Sequence, residues 1–154
     1  MLIVNFEETE DIGIVTHYKG KPLNGIGRHL YENGKTKLEI EMVEGLKHGK
    51  SKGFYEEGIL KSESHYKDDK LNGIFKVFNK KGIIIREGSF IDDKKEGIFK
   101  EYNDVGVLVA NLTYKDDKIV KLDLKDFLFD KIKSKIESSK TNKNKSKENG
   151  SIFY

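Results

Sequence analysis

The sequence predicts an all-β protein: an elongated, twisted single sheet, built as an antiparallel β-meander with two strands in each 24-residue repeat. Three observations predict it. Glycine stands at 25, 49, 73 and 97 and again at 34, 58, 82 and 106, two series with one period. Turn-forming groups such as Asn33-Gly34, Lys81-Gly82 and Asp68-Asp69-Lys70 separate the segments between them. Those segments, such as Ile74-Phe-Lys-Val-Phe78 and Ile83 to Phe90, are β-branched and aromatic and have strand length.

A 24-residue unit is too short for a strand–helix–strand crossover, so each unit holds two strands and two turns. Whole columns keep the period. Tyr18, Met42, Tyr66, Phe90 and Tyr114 form one apolar column, and Leu30, Phe54, Phe78 and Tyr102 a second. Arg28, Lys52, Lys76 and Lys100 form a basic column; Glu39, Glu63 and Glu87 form an acidic one that Asn111 breaks. Four units without a register slip define an internal repeat. The columns become stripes across the sheet, with equivalent residues about 9.6 Å apart, twice the strand spacing. If the glutamate stripe lies opposite the lysine stripe, each pair adds a few tenths of a kcal/mol.

Four full repeats cover about 18–113 and a fifth begins at 114, giving a β-repeat domain over 1–120. At the front, Leu2 to Phe6 and Ile12 to Tyr18 are expected to add one or two strands. Beyond the repeats, Leu124, Phe127, Leu128, Ile132 and Ile136 recur at helical spacing, with Asp123 as a cap. An amphipathic helix near 123–138 is expected within a capping segment at 121–139. A cap suits a solenoid, whose last unit leaves an open strand edge. Residues 140–154, low in apolar side chains, are expected to be a disordered basic tail.

With Tyr or Phe, then Lys-Asp-Asp-Lys-Leu-Asn-Gly, then an aromatic, a few polar residues and Gly, as in Tyr66 to Gly73 and Phe78 to Gly82, the unit resembles the MORN repeat (membrane occupation and recognition nexus), and more closely its bacterial variant. The resemblance spans Ile12 to Lys118. The second glycine of the eukaryotic form appears only in Gly25-Ile26-Gly27; later units place Ser51, Phe75 and Phe99 there. Some bacterial proteins with the variant repeat are classed as antitoxins, so the resemblance implies an antitoxin-like or scaffolding role.

Composition narrows the chemistry. In 154 residues, 36% are apolar and 36% charged, which suits a thin core. There is no cysteine, and hence no disulfide, thiolate nucleophile or cysteine metal site. The start, Met1-Leu-Ile-Val-Asn-Phe-Glu-Glu8, has neither the basic residues nor the apolar run of a secretory signal, and no stretch has the length of a membrane span. A cytoplasmic location is expected. The formal net charge is +3, but residues 121–148 carry nine Lys against five Asp and Glu, which leaves the repeats close to neutral. A nucleic-acid-binding face is therefore not expected. Abundant Lys, Asn and Ile point to an AT-rich, bacterial genome.

No catalytic constellation is legible. His17, His29, His48 and His65 include no i, i+4 pair and no carboxylate partner suited to zinc. The pairs Asp68-Asp69, Asp92-Asp93 and Asp116-Asp117 lie too far apart to share one calcium ion, and turn formation accounts for them. No glycine cluster opens a helix to hold phosphate. No metal, cofactor or catalytic residue is expected.

The aromatics point to protein binding. Alternation places Leu30, Phe54, Phe78 and Tyr102 on one face and Tyr31, Tyr55, Phe75 and Phe99 on the other. Phe75 and Phe99 are expected to lie under the helix; Tyr31 and Tyr55 are expected as exposed contacts. The reading is a non-enzymatic protein–protein interaction module, with self-association through strand edges as one form. The alternative is anionic-lipid binding at a membrane surface through the lysine-rich helix and tail.

Overall fold

A computed structural model describes residues 1–125. Its strands are β1 (Ile3–Asn5), β2 (Glu10–Ile12), β3 (Val15–Tyr18), β4 (Lys21–Pro22), β5 (Gly25–Leu30), β6 (Thr36–Val43), β7 (Leu46–Phe54), β8 (Leu60–Lys67), β9 (Lys70–Leu71), β10 (Gly73–Phe78), β11 (Ile84–Ile91), β12 (Lys94–Tyr102), β13 (Leu108–Lys115) and β14 (Lys118–Leu124). The main sheet runs β1-β5-β6-β7-β8-β10-β11-β12-β13-β14, with β9 attached to β8. From β5 onward the strands of the sheet follow sequence order, with the two-residue β9 set aside, and every pairing is antiparallel. This is the meander that the repeat predicts.

The two kinds of turn follow from their residues. On one rim, two-residue turns at Asp68-Asp69, Asp92-Asp93 and Asp116-Asp117 hold both residues at positive φ, between 47° and 68°. That is the turn whose twist matches a hairpin, and Asp tolerates it better than most side chains. On the other rim, five-residue loops close with a bond from the glycine N–H to the carbonyl three residues back: Gly34 to Tyr31, Gly58 to Tyr55, Gly82 to Asn79 and Gly106 to Asn103. The register slips by one residue beside each of these loops.

The second aspartate of each pair does more than turn the chain. Asp93 donates its N–H to the carbonyl of Leu71 (2.9 Å), and its carboxylate accepts the N–H of Leu71 (2.8 Å). Asp69 makes the same two bonds with Lys47, and Asp117 with Lys95. Each turn is therefore fastened to the start of a strand in the preceding unit, 22 residues away. The opposite rim has its own bonds between units: the Tyr31 hydroxyl donates to the Phe54 carbonyl and the Tyr55 hydroxyl to the Phe78 carbonyl.

The series Gly25, Gly49, Gly73 and Gly97 has a different role from the turn role that Asn24-Gly25 and Asn72-Gly73 suggest. These glycines lie within strands or at their starts. At Gly49, φ is +109°, and an added Cβ would fall 3.1 Å from Glu41 Cβ. The site is a bend in β7 where the register with β6 shifts, and glycine permits both the dihedral and the close approach.

One face of the sheet is apolar. At its amino-terminal end, Val4, Leu23, Ile40 and Met42 are buried, with Phe6, Tyr18 and Leu38 packed around them. The segment before β5 covers them. β1 pairs parallel with β5, and the Phe6 ring lies where a Gly27 side chain would be. The expected extra strands are therefore present, but β2, β3 and β4 form a separate three-stranded sheet. At the other end, Phe75, Phe90, Phe99 and Tyr114 stack edge-to-face, with successive ring centroids 5.4, 5.5 and 5.0 Å apart. Phe99 is 2% exposed and lies over Gly88, whose missing Cβ makes room for the ring.

β14 corrects one boundary. The expected capping segment begins at 121, yet Lys118–Leu124 is a strand. Leu122 faces Leu112 and Leu124 faces Ala110, so the period-two alternation of Leu122 and Leu124 completes the apolar face. Pairing with β13 prevails there over the 3.6-residue pattern that begins at Leu124. The remainder of the expected helix and the expected tail at 140–154 lie outside the described residues.

The aspartate bonds make a testable ordering. Asp93→Ala loses the acceptor and keeps a Cβ at φ +68°, so it is expected to destabilise the fold by about 1–2 kcal/mol. Asp93→Asn keeps both acceptor and turn propensity and should fall within about 0.5 kcal/mol of the parent; Asp93→Gly should lie between them. Urea unfolding checks the order.

Candidate binding face

The opposite face of the sheet carries the charged columns. The register places Arg28 opposite Glu39, Glu39 opposite Lys52, Lys52 opposite Glu63 and Glu63 opposite Lys76. The row continues through Glu87, Lys100 and Asn111 to Asp123. The basic and acidic stripes thus interleave strand by strand, so each internal glutamate stands between two cations. This arrangement removes the like-charge contact that either column alone would create.

At two places in the row the charges close into ion pairs. Arg28 reaches Glu39 at 2.7 Å and Lys100 reaches Glu87 at 3.2 Å. Tyr102 donates its hydroxyl to the same Glu87 oxygen at 2.7 Å. That bond, aided by Lys100 and opposed by partial burial, holds the Glu87 carboxyl below the usual carboxylate range. The same bond pushes the Tyr102 hydroxyl up to about 12. Both shifts follow from one cause: the bond exists only while Tyr102 is protonated and Glu87 is ionised.

Mid-row the arrangement is more open. Lys50, Lys52, Glu63, His65, Ile74 and Lys76 line a depression of about 150 Å³. Buried within this region, His65 Nδ1 has no hydrogen-bond partner among the described residues. Beside the depression, Ile74 and Ile98 are each 56% exposed. They occupy one column, 24 residues apart on β10 and β12, so about 9.6 Å separates them across β11.

The sequence-predicted contact residues do not form one patch. Phe99 belongs to the buried aromatic stack, and Phe75 lies half-buried at the end of that stack. Their expected cover, the helix, lies outside the described residues. Tyr31 and Tyr55 are half-buried on the loop rim, and their hydroxyls are engaged in the bonds between units. Lys37 lies over the Tyr31 ring, and Lys61 and Lys80 lie over the Tyr55 ring. Two units later Asn79 and Asn103 replace the tyrosines and accept backbone N–H groups within their own loops. Sequence reasoning overlooked Ile74 and Ile98, although their signal is plain in Gly73-Ile-Phe-Lys76 and Gly97-Ile-Phe-Lys100: alternation puts the isoleucine beside the lysine, away from the phenylalanine.

A neutral, ridged β-sheet surface of this kind defines a repeat-built module with a broad face for contact. A family model described as the MORN repeat variant matches residues 47–68. This segment is β7, its loop, β8 and the first residue of the aspartate turn. The matched segment is thus similar to the MORN repeat variant, and its columns recur at the same spacing on either side of it. No curated protein matches the chain. Among the described residues, no cluster of three or more His, Asp or Glu side chains is placed to hold a metal ion. No described helix is long and apolar enough to cross a membrane.

Tyr102→Phe tests the charged row. It should cost about 0.5–1 kcal/mol at pH 7, the value of one solvent-screened bond to a carboxylate. The depressed Glu87 contributes stability above its unfolded value, lost as pH falls through the folded one; the raised Tyr102 contributes below about 10, lost as pH rises through about 12. The mutant and parent should therefore converge once pH falls below the depressed Glu87 value. Urea midpoints across pH, with the Glu87 carboxyl followed by NMR, check the sign.

Proposed function

We propose that this protein is a non-enzymatic protein–protein interaction module that holds its partner on the charged face, centred on Ile74 and Ile98. One observation carries the reading: two large apolar side chains, more than half exposed in successive repeats, stand beside a row of charges that alternates in sign. Exposed isoleucines supply apolar area to bury, and flanking charges of both signs set register and exclude wrong partners. A nucleic acid or an anionic bilayer presents one sign of charge and gains little from a row that cancels every second strand.

The MORN repeat supports a binding module. Antitoxin-like masking of another protein and scaffolding are the finer forms we favour, on the strength of the repeat's resemblance. Tyr31 and Tyr55, on the loop rim, offer a secondary contact strip. No cofactor is required for this role, and the cytoplasm is the compartment we favour.

The test is capture from the source cell with the tagged full chain and with the Ile74→Asp/Ile98→Asp double variant, at two salt concentrations. The parent should retain one stoichiometric protein at high salt. The variant should retain at least about tenfold less, since two lost apolar anchors cost 1.4 kcal/mol or more between them. Its urea midpoint should stay unchanged, because both side chains are exposed. Undiminished capture by the folded variant would move the site off this face. Membrane lipid in place of a protein, lost at high salt, would favour the lysine-rich carboxyl-terminal segment instead.

A further inference from the structure

The two ends of the main sheet differ. β1 is three residues long and belongs to the crossing segment that seals the amino-terminal core. β14 is seven residues long, and Ile119, Val120 and Leu122 along it are all more than half exposed. Among the described residues, no strand pairs with its outer edge. An exposed edge with apolar side chains is a template for another strand.

The backbone shows which groups that edge offers. Lys125 donates its N–H to the Val109 carbonyl, and the ladder continues with Asp123 opposite Asn111 and Lys121 opposite Thr113. In an antiparallel pair, hydrogen-bonded positions alternate. Lys121, Asp123 and Lys125 therefore point their N–H and C=O groups at β13, while Leu122 and Leu124 point theirs outward. The side chains alternate as well: Lys121 and Asp123 lie on the charged face, and Leu122 and Leu124 on the apolar face.

We propose that β14 pairs antiparallel with β14 of a second copy of this chain, on a two-fold axis through Leu122, joining two sheets into one. Among axes at Lys121, Leu122 and Asp123, the charges select Leu122. An axis at Lys121 would set that lysine against its own mate, and an axis at Asp123 would set two aspartates together. The axis at Leu122 sets Lys121 of each copy against Asp123 of the other, twice. It also sets Leu122 against its mate on the apolar face, with the outward Leu122 N–H and C=O groups of the two copies bonding each other. Opposite-charge pairs favour this register and like-charge pairs disfavour the other two. The short β1 end offers no equivalent edge, so pairing closes at two copies and does not propagate into a fibre.

The chain has no cysteine, so a single introduced thiol reports the axis directly. In the full-length protein, Leu122→Cys, Lys121→Cys and Asp123→Cys each place one thiol on a candidate axis. Residues facing each other across a hydrogen-bonded antiparallel pair have Cα atoms about 5.5 Å apart, within disulfide range. Under mild oxidation, Leu122→Cys should link into a covalent dimer at least about tenfold faster than the other two, the factor expected if their thiols are held beyond disulfide reach. Sedimentation of the parent chain should show a two-chain species. Lys121→Asp should weaken that species, and Lys121→Asp/Asp123→Lys should restore it. A parent that stays monomeric at hundreds of micromolar with an inert Leu122→Cys thiol would overturn the proposal. Faster linking at 121 or 123 would overturn its register.

Discussion

The fold depends on a fastening between successive units: the N–H and carboxylate of an aspartate at positive φ grip the N–H and carbonyl that begin a strand 22 residues earlier. A single-layer sheet has little core with which to fix its register. Its apolar face is crowded at both ends, and between them lie small side chains such as Ser51, Gly53 and Ser62. In such a sheet, a slip by one residue would exchange its two faces. The aspartate turns on one rim and the tyrosine hydroxyls on the other hold successive units in step without calling on side-chain packing. The first unit shows the same fastening in reduced form. Gly45 stands in the aspartate column and donates to the Leu23 carbonyl, but has no carboxylate to return the bond.

Fixed register in turn makes the two faces different in kind. With the phase of every strand held, two aromatic columns, Phe75 with Phe99 and Phe90 with Tyr114, interleave and stack edge-to-face while the lysine and glutamate columns interleave on the other side. The interleaved row costs little and contributes little, as exposed ion pairs do. Its consequence is a face whose row of charges cancels strand by strand, on which Ile74 and Ile98 stand exposed. Fold and proposed binding role thus share one origin: a period that never slips.

Much of this was legible in the sequence, and the failures have physical causes. The glycine series, the turn dipeptides and the charged columns read directly as a two-strand repeat, because period and alternation are local properties. The role of Gly49 was not legible, since a glycine that makes room for Glu41 has the same one-letter signature as one that turns the chain. Nor was the second bond of Asp69, Asp93 and Asp117, which depends on where the neighbouring unit lies. Tyr31 and Tyr55 read as free interfacial tyrosines because nothing in a sequence shows a hydroxyl bonded to a carbonyl 23 residues on. The separate sheet of β2, β3 and β4 was missed because β2 and most of β3 precede the repeats and have no column to place them.

Native-state hydrogen exchange of the turn amides tests the fastening most directly. These turns lie at an exposed rim, where unbonded amides exchange at nearly the rate of a free chain. The N–H groups of Asp69, Asp93 and Asp117, and those of Lys47, Leu71 and Lys95, should be protected to the level of the central strands. The Gly45 N–H should be protected as well, while the N–H of Leu23, which bonds Thr16 and no turn carboxylate, should exchange with its own small sheet. Exchange of the six aspartate-linked amides at free-chain rates, beneath a protected sheet, would show that the strands hold their register without the turns and would contradict the account.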